Sequence, residues 1–338
     1  MKNRGTPTLE DVALSSKVST ATVSRYLNNP EKVAKSTRSQ IQKTIQKLGY
    51  TPNLGGRMLA SNKVRMVGAI IPTMANAMFS NGIQAFQEEL SKNGITLLIA
   101  SSGYDPKQEL QQIQSLLASG AGGLLLIGAE RPKKTVRFLN QRNLPYVIAW
   151  AFQEELNGYY AGFNNRLAAY DLAKVVIDHG HKKIAMIAGI SENNDRAGGR
   201  IDGVKDAIAD HPDTVRLVDL IETKYRMEAG GNAFDTLMSK VSKPSVIMCG
   251  NDVLAAGVIM RARQRGIRVP EDVSVTGFDD LNIASALAPS LTTVRVPHYA
   301  MGRAAAKLLL KLIQKDEKAK SAEFGTEIIL RDSLARIA

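Results

Sequence analysis

Residues 9–53 read LEDVALSSKVSTATVSRYLNNPEKVAKSTRSQIQKTIQKLGYTPN, and three short amphipathic helices fit them. Thr8-Leu9-Glu10-Asp11 has the form of a helix start, a hydroxyl cap with an acid three residues on. Val12, Ala13 and Val18 follow as apolar positions. A second start comes at Ser19, with Val23 and Leu27 at i and i+4 on one face. A third helix is expected near Ser36; it carries Ile41, Ile45 and Leu48 and stops at Gly49, with Pro52 beyond. Three short helices with a tight break between the first two match a helix-turn-helix. In that motif the second helix enters the major groove with its N-terminal residues at base edges. Here those are Thr20, Ala21 and Arg25, while Thr22 and Ser24 can reach phosphates. A guanidinium pairs with guanine O6 and N7, and an alanine methyl can touch a thymine methyl. The plain alternative is a small helical bundle with no DNA role.

Charge separates the two readings. Residues 1–65 hold twelve Lys and Arg against three acids, a net +9, so only +3 of the +12 total falls on the remaining four-fifths of the chain. A basic module on a nearly neutral body points to a polyanion partner for that module alone. A solubilising tail or a membrane-surface patch would also be basic, but neither needs the pattern of a small helical core. A single cysteine, Cys249, excludes an internal disulfide framework and fits a reducing compartment. The first residues lack a signal-peptide core and no apolar run reaches membrane-spanning length, so a cytoplasmic protein without a membrane partner is expected.

The 9–53 stretch resembles the head of the lactose-repressor (LacI/GalR) family. The resemblance is carried by Asp11-Val12-Ala13, Val18-Ser19, Thr22-Val23-Ser24-Arg25, Asn28, Val33, Thr37 and Leu48-Gly49-Tyr50 with Pro52-Asn53. It implies a homodimer on a pseudo-palindromic operator in double-stranded DNA, contacted through Thr8, Ser19, Thr20, Ala21, Thr22, Ser24, Arg25, Asn28 and Tyr50. One departure is Ser16-Lys17, where the family usually has Ala-Gly in the turn. A left-handed position there costs a lysine roughly 1 kcal/mol. Residues 1–50 are thus read as the DNA-binding domain and 51–65 as a hinge. In the family that hinge becomes a minor-groove helix on DNA, a leucine wedging into the central base step. Leu59 matches the leucine, with Asn53 and Arg57 beside it. Gly55 and Gly56 would weaken such a helix by roughly 2 kcal/mol, so folding coupled to DNA binding is expected. The alternative is a plain flexible linker.

From residue 66 short apolar runs alternate with amphipathic stretches. The expected strands are 66–71, 96–100, 123–128, 146–150, 184–189, 215–219, 246–250 and 273–278. Helices are expected at 80–93, 106–119, 165–179, 199–210, 228–240 and 252–265. Repeated β-α units imply parallel sheets covered on both faces, and eight strands restarting near 164 imply two Rossmann-like lobes. The fold class is a small all-α helix-turn-helix head followed by an α/β body. The family resemblance extends to the body and implies the two-lobed periplasmic-binding-protein type 1 fold over 66–338. It places the first lobe at about 66–163 and 292–323, and the second at about 164–291 and 324–338. LTTVRVPHYAMGRAAAKLLL (291–310) resembles the stretch that returns to the first lobe and adds a strand and a helix, and EIILRDSLARIA resembles the return to the second.

Ligands of open parallel sheets bind at the carboxyl ends of strands. Met78 and Phe79 follow the strand at 66–71; they could be a hydrophobic staple, but the family places an apolar effector contact there. Trp150 ends the strand at 146–150 and could fill the core or stack on a sugar face. Arg200, in Arg-Ile-Asp-Gly-Val, resembles the family's effector arginine, although a surface ion pair is its bland role. Asn251-Asp252 is both a helix-cap pattern and the family's ligand asparagine, and Asp279 in Gly-Phe-Asp-Asp resembles its hydroxyl acceptor. His179-Gly-His181 could ligate a metal but lies at a turn away from that edge. Ser119-Gly-Ala-Gly-Gly123 precedes a strand, whereas a dinucleotide fingerprint follows one. No nucleophile-base set or metal-ligand cluster stands out, so neither an enzyme nor a metal or cofactor site is expected.

A transport binding protein would share the body and a dehydrogenase its β-α units; a ligand-responsive repressor accounts for every segment. IPTMANAMFS, SSGYDPKQE, Trp150 and GFNN look closest to gluconate- and idonate-type repressors within the family. That resemblance implies a sugar-acid effector, with Arg200 taking its carboxylate and release from DNA as the response.

Overall fold

The computed structural model describes residues 7–51, 64–75, 77–153 and 158–337. It divides into two compact units, Met1–Lys63 and Val64–Ala338.

In the first unit α1 (Leu9–Ser15), α2 (Thr20–Asn28) and α3 (Lys35–Leu48) enclose a small core of Val12, Ala13, Val23, Ile41 and Tyr50. The starts follow the expected chemistry. Thr8 and Asp11 form a reciprocal capping box, and Ser19 accepts from the Thr22 amide. α3 stops where Gly49 turns left-handed (φ 64°), as a helix C-terminus favours. Ile41 is fully buried, and truncating such a residue costs about 2–5 kcal/mol, a large share of a small domain's stability. The unusual turn is also explained. Lys17 does adopt a left-handed backbone (φ 50°), while the Ser16 hydroxyl turns inward onto the Val12 carbonyl. Gln40 of α3 donates to the Ser16 carbonyl at 3.0 Å, so the turn's strain is offset by a tie to the next helix.

The second unit contains two parallel sheets. The first has six strands in the order β11-β5-β4-β3-β1-β2, namely Ala322–Glu323, Tyr160–Gly162, Tyr146–Ala149, Leu124–Ile127, Met66–Ile71 and Thr96–Ser101. The second has four in the order β7-β6-β8-β9: Arg216–Thr223, Lys183–Gly189, Val246–Cys249 and Ser274–Thr276. Central strands such as β1 and β3 are buried along their whole length, which is why they read as continuous apolar runs. On the first sheet α4 (Ser80–Lys92) and α12 (His298–Ile313) cover Val67, Ala69 and Leu125, whereas α5 (Pro106–Ala118) and α6 (Lys133–Gln141) cover Ile70, Leu124 and Leu126. On the second, α7 (Asn165–Asp178) and α8 (Asp195–Ala209) cover Ile184 and Met186; α9 (Met227–Met238) and α10 (Asp252–Gln264) cover Ala185 and Ile187. Alternate residues of β6 thus face opposite layers.

Several elements differ from expectation. α8 starts at Asp195, four residues before 199, and β7 runs on to Thr223. α6, β5, α11 (Asn282–Ala286) and β11 are additional. The strand within 291–310, β10 (Thr293–Arg295), does not join the first sheet. It pairs antiparallel with β12 (Glu327–Ile329), and the first sheet gains β11 instead. Only α12 of that stretch packs on the first lobe. The chain's end does pack on the second: the Val275 amide donates to the Ser333 carbonyl. Among the described residues, no helix is long and apolar enough to cross a membrane.

Candidate nucleic-acid interface and interlobe cleft

α2 separates its two jobs by face. Val23 is buried in the head's core, while Thr20, Ala21, Arg25 and Asn28 are exposed and Thr22 and Ser24 half-buried. Ala21 and Arg25, four apart, share one face. No acid occupies the first turn of α2 or of α3, so their amide ends stay open to phosphate. Thr8 and Ser19 are exposed but act as helix caps, and the Ser19 and Thr22 hydroxyls lie 2.9 Å apart. Tyr50 departs from the expected DNA set. It is 9% exposed and belongs to the head's core, because α3 ends just before it and turns the ring under α1. Asn53, Arg57 and Leu59, with the Gly55-Gly56 pair, lie outside the described residues.

In the second unit the carboxyl ends of both sheets face each other across a cavity of about 570 Å³. Thr73 and Tyr104 line it from the first lobe, and Asn194, Lys224, Tyr225 and Arg226 from the second. The Tyr104 and Tyr225 rings meet across the gap at 6.3 Å. Burial raises the pKa of both phenols, so they stay neutral donors. The lobes are also tied directly: the Ala129 amide, after β3, donates to Asp195 Oδ2 of α8 at 2.6 Å. Beside it Arg196 Nη1 lies so near Gly128 that a Cβ there would fall 1.7 Å away, a contact only glycine permits.

Behind this cavity four of the six expected effector residues meet in one polar network. Arg200 is 2% exposed and stacks over Phe278 at 3.7 Å. Its Nε donates to Asn165 Oδ1 at 2.9 Å, Nη1 to the Gly250 carbonyl at 2.7 Å, and Nη2 to Asp279 Oδ1 at 3.4 Å. Asp279 is buried, with its carboxyl pKa raised by loss of solvent against the pull of Arg200. Asn251 both caps α10, accepting from the Leu254 amide at 2.9 Å, and leaves its Nδ2 without a hydrogen-bond partner among the described residues. Asp279 Oδ2 and His298 Nε2 are likewise unpartnered there. Buried polar atoms are satisfied in the great majority of cases, so three in one cluster mark a place prepared for something else.

Trp150 departs from the expected open stacking platform. It is fully buried, stacked on the His298 ring and edge-on to Phe79, with its rim over Gly82. Met78 and Phe79 are also buried and form the wall behind the network. His179 and His181 hold the turn and the chain's end instead of a metal: His181 Nε2 lies 3.1 Å from the Ala335 carbonyl. Among the described residues no group of His, Cys, Asp and Glu could hold a metal ion.

His298, Tyr104, Tyr225, Asn194 and Arg196 were missing from the sequence reading. Four of them follow strands β2, β6 and β7, so taking every strand's carboxyl end would have found them. His298 follows none and was visible only through the helix crossing of α4 and α12.

Residues 8–53 match the model of the lacI family of bacterial regulatory proteins, and 173–334 match a periplasmic binding protein-like domain. The chain is 33% identical over 334 residues to the HTH-type transcriptional repressor CytR of Escherichia coli, covering 98% of this chain and 97% of that one. A LacI-family transcriptional regulator from Silicibacter pomeroyi shares the fold with a TM-score of 0.89 at 23% identity, covering 98% of this chain and 100% of that one. The transcription regulator GntR from Chromobacterium violaceum is 30% identical with a TM-score of 0.75, covering 80% of this chain and 99% of that one. A capped helix-turn-helix ahead of a two-lobed α/β body, together with full-length similarity at this level, leads to one conclusion: the chain belongs to the lacI family of transcriptional regulators.

Proposed function

We propose that the chain is a cytoplasmic repressor that binds a pseudo-palindromic operator as a homodimer and is released when a small hydroxylated effector closes its two lobes. The observation that carries the effector reading is the trio of unpartnered buried atoms, Asp279 Oδ2, Asn251 Nδ2 and His298 Nε2, gathered around Arg200. Their donors and acceptor suit a sugar or sugar acid, and α2 with Arg25 and Ala21 supplies the base-reading face. Residues 51–65 serve as the hinge between head and body, and the body spans 66–338.

The gluconate-like reading calls for a carboxylate partner. Arg200 is poorly placed for it, since Asp279 already offsets its charge and three of its five N–H groups are engaged. Lys224 and Arg226 at the cavity's mouth, with Arg196 behind them, are the better cations for a sugar acid.

The test is a melting-temperature panel of neutral sugars, sugar acids and nucleosides on the full chain. A true effector raises the melting temperature by mass action, about 2.7 kcal/mol at a hundredfold excess over Kd. Arg200→Ala and Asp279→Ala should abolish the shift while operator binding persists. A shift that survives both substitutions discards this pocket.

A further inference from the structure

The polar network between the lobes is a ring with one gap. Arg200 donates to Asn165, Asn165 Nδ2 donates to the Trp150 carbonyl at 2.9 Å, and the Trp150 indole N–H donates to His298 Nδ1 at 2.9 Å. Arg200 also reaches Asp279, which would complete the circuit. His298 Nε2 and Asp279 Oδ1, however, stand 3.9 Å apart, beyond hydrogen-bond reach. The members come from both lobes: Trp150 follows β4 and His298 opens α12 on the first; Asn165 opens α7, Arg200 lies in α8 and Asp279 follows β9 on the second.

The indole nitrogen is only a donor, so the His298 Nδ1 that faces it must accept. A neutral imidazole accepting at Nδ1 carries its proton on Nε2. His298 is kept neutral by burial and by Arg200, with Asp279 opposing them; these are the charged groups facing it within the network. Trp150 itself is held firmly. Its backbone is left-handed (φ 60°), its carbonyl is taken by Asn165, and Gly82 leaves the room its ring occupies. The side of His298 away from Trp150 is therefore a fixed N–H donor, and Asp279 Oδ2 close by is an unused acceptor.

We propose that a hydroxyl of the effector closes this gap, accepting from His298 Nε2–H and donating to Asp279 Oδ2, and that Trp150 is the positioning residue that sets the His298 tautomer. This rests on the effector reading above and specifies its chemistry. A carboxylate, a ketone or an ether oxygen can only accept, so none of them serves both partners. An alcohol serves both. The same hydroxyl joins a first-lobe donor to a second-lobe acceptor, so its binding favours the closed arrangement.

Two measurements on the full chain test the proposal. Ring-¹⁵N spectra of the four histidines, with His298 assigned by its loss in His298→Gln, read the tautomer without any ligand. The wild type should show His298 protonated on Nε2 alone, and Trp150→Phe should give a mixture or the opposite tautomer. A proton on Nδ1 in the wild type, or a Trp150→Phe spectrum unchanged from it, overturns the positioning role. The second measurement is affinity for whichever of D-ribose, D-glucose or D-gluconate raises the wild-type melting temperature, and for its monodeoxy analogues. His298→Gln keeps a donor where Nε2 stood and should bind within about threefold; His298→Phe should lose roughly tenfold. One deoxy analogue should lose a similar factor in the wild type but little further in His298→Phe. Equal binding by both variants overturns the contact. If none of the three sugars binds, the effector reading fails together with the contact, while the tautomer stands or falls by its spectrum.

Discussion

Asp252 permits a prediction with a worked magnitude. It is fully buried at the start of α10, where Oδ1 takes the Thr293 hydroxyl and Oδ2 the Leu281 amide, each at 2.6 Å. It therefore pins the second lobe to the segment leading back to the first. Burial, then the nearby Asp279 charge, pushes its carboxyl pKa up to about 8, against the pull of the two hydrogen bonds. Because the folded pKa lies above the unfolded one, the folded protein holds an extra proton between about pH 4 and pH 8. The stabilisation is complete below pH 4 and lost as pH rises toward 8, by about 1.4 kcal/mol per unit. From pH 6 to pH 8 the loss is about 2 kcal/mol, which for a unit of this size lowers the melting temperature by about 4–8 °C. Asp252→Asn mimics the protonated acid: its oxygen accepts from Leu281 and its NH₂ donates to Thr293. Melting of the body transition at pH 6, 7 and 8 should show the variant near wild type at pH 6 and ahead by that margin at pH 8. Taking the difference cancels the buried His181 and His298, whose lowered pKa values act with the opposite sign, costing stability below about pH 6.5. A wild-type-minus-variant difference that is flat over this range refutes the reasoning.

Three further outcomes follow from the head and the cleft. Arg25→Ala should cost about 1–3 kcal/mol of discrimination at one base pair, read by anisotropy on substituted operators, with effector-induced melting shifts unchanged; unaltered base preference removes Arg25 from the reading face. Lys17→Gly should relieve the left-handed turn by about 1 kcal/mol, raising the head's own calorimetric transition by about 4–8 °C, and a lower transition would show that the lysine is not strained there. Asp195→Ala removes the charge-assisted tie to the Ala129 amide, which should shift the closed-to-open balance by about 1.5–3 kcal/mol and lengthen interlobe distances between spin labels; unchanged distances would mean the tie holds nothing closed.

The legibility of this chain follows burial. β1, β3, β6 and β8 are covered on both faces and read as apolar runs, and α1 and α2 carry capping residues that state where they begin. β5 and β11, three and two residues long, are too short for any periodicity, and their pairing exists only once distant segments meet. The same holds within the cleft. Arg200, Asn251 and Asp279 sit in local motifs, so their positions were readable and the fold brings them together. His298 is joined to Trp150 across 148 residues of chain, and no local pattern announces a contact of that kind. Trp150 was noticed for its strand end, but its role depends on a helix packed over it. Tyr50 has the residue type of a surface contact and the surroundings of a core residue.

The central claim is that one cleft governs one DNA-binding head. The most direct measurement takes an operator enriched from random duplexes by the full chain and follows its affinity as the compound that raises the melting temperature is added. The account predicts that operator affinity falls, that the operator weakens the compound by the same factor, and that Arg200→Ala binds the operator but ignores the compound. An operator affinity unmoved by a compound that demonstrably occupies the cleft would contradict it.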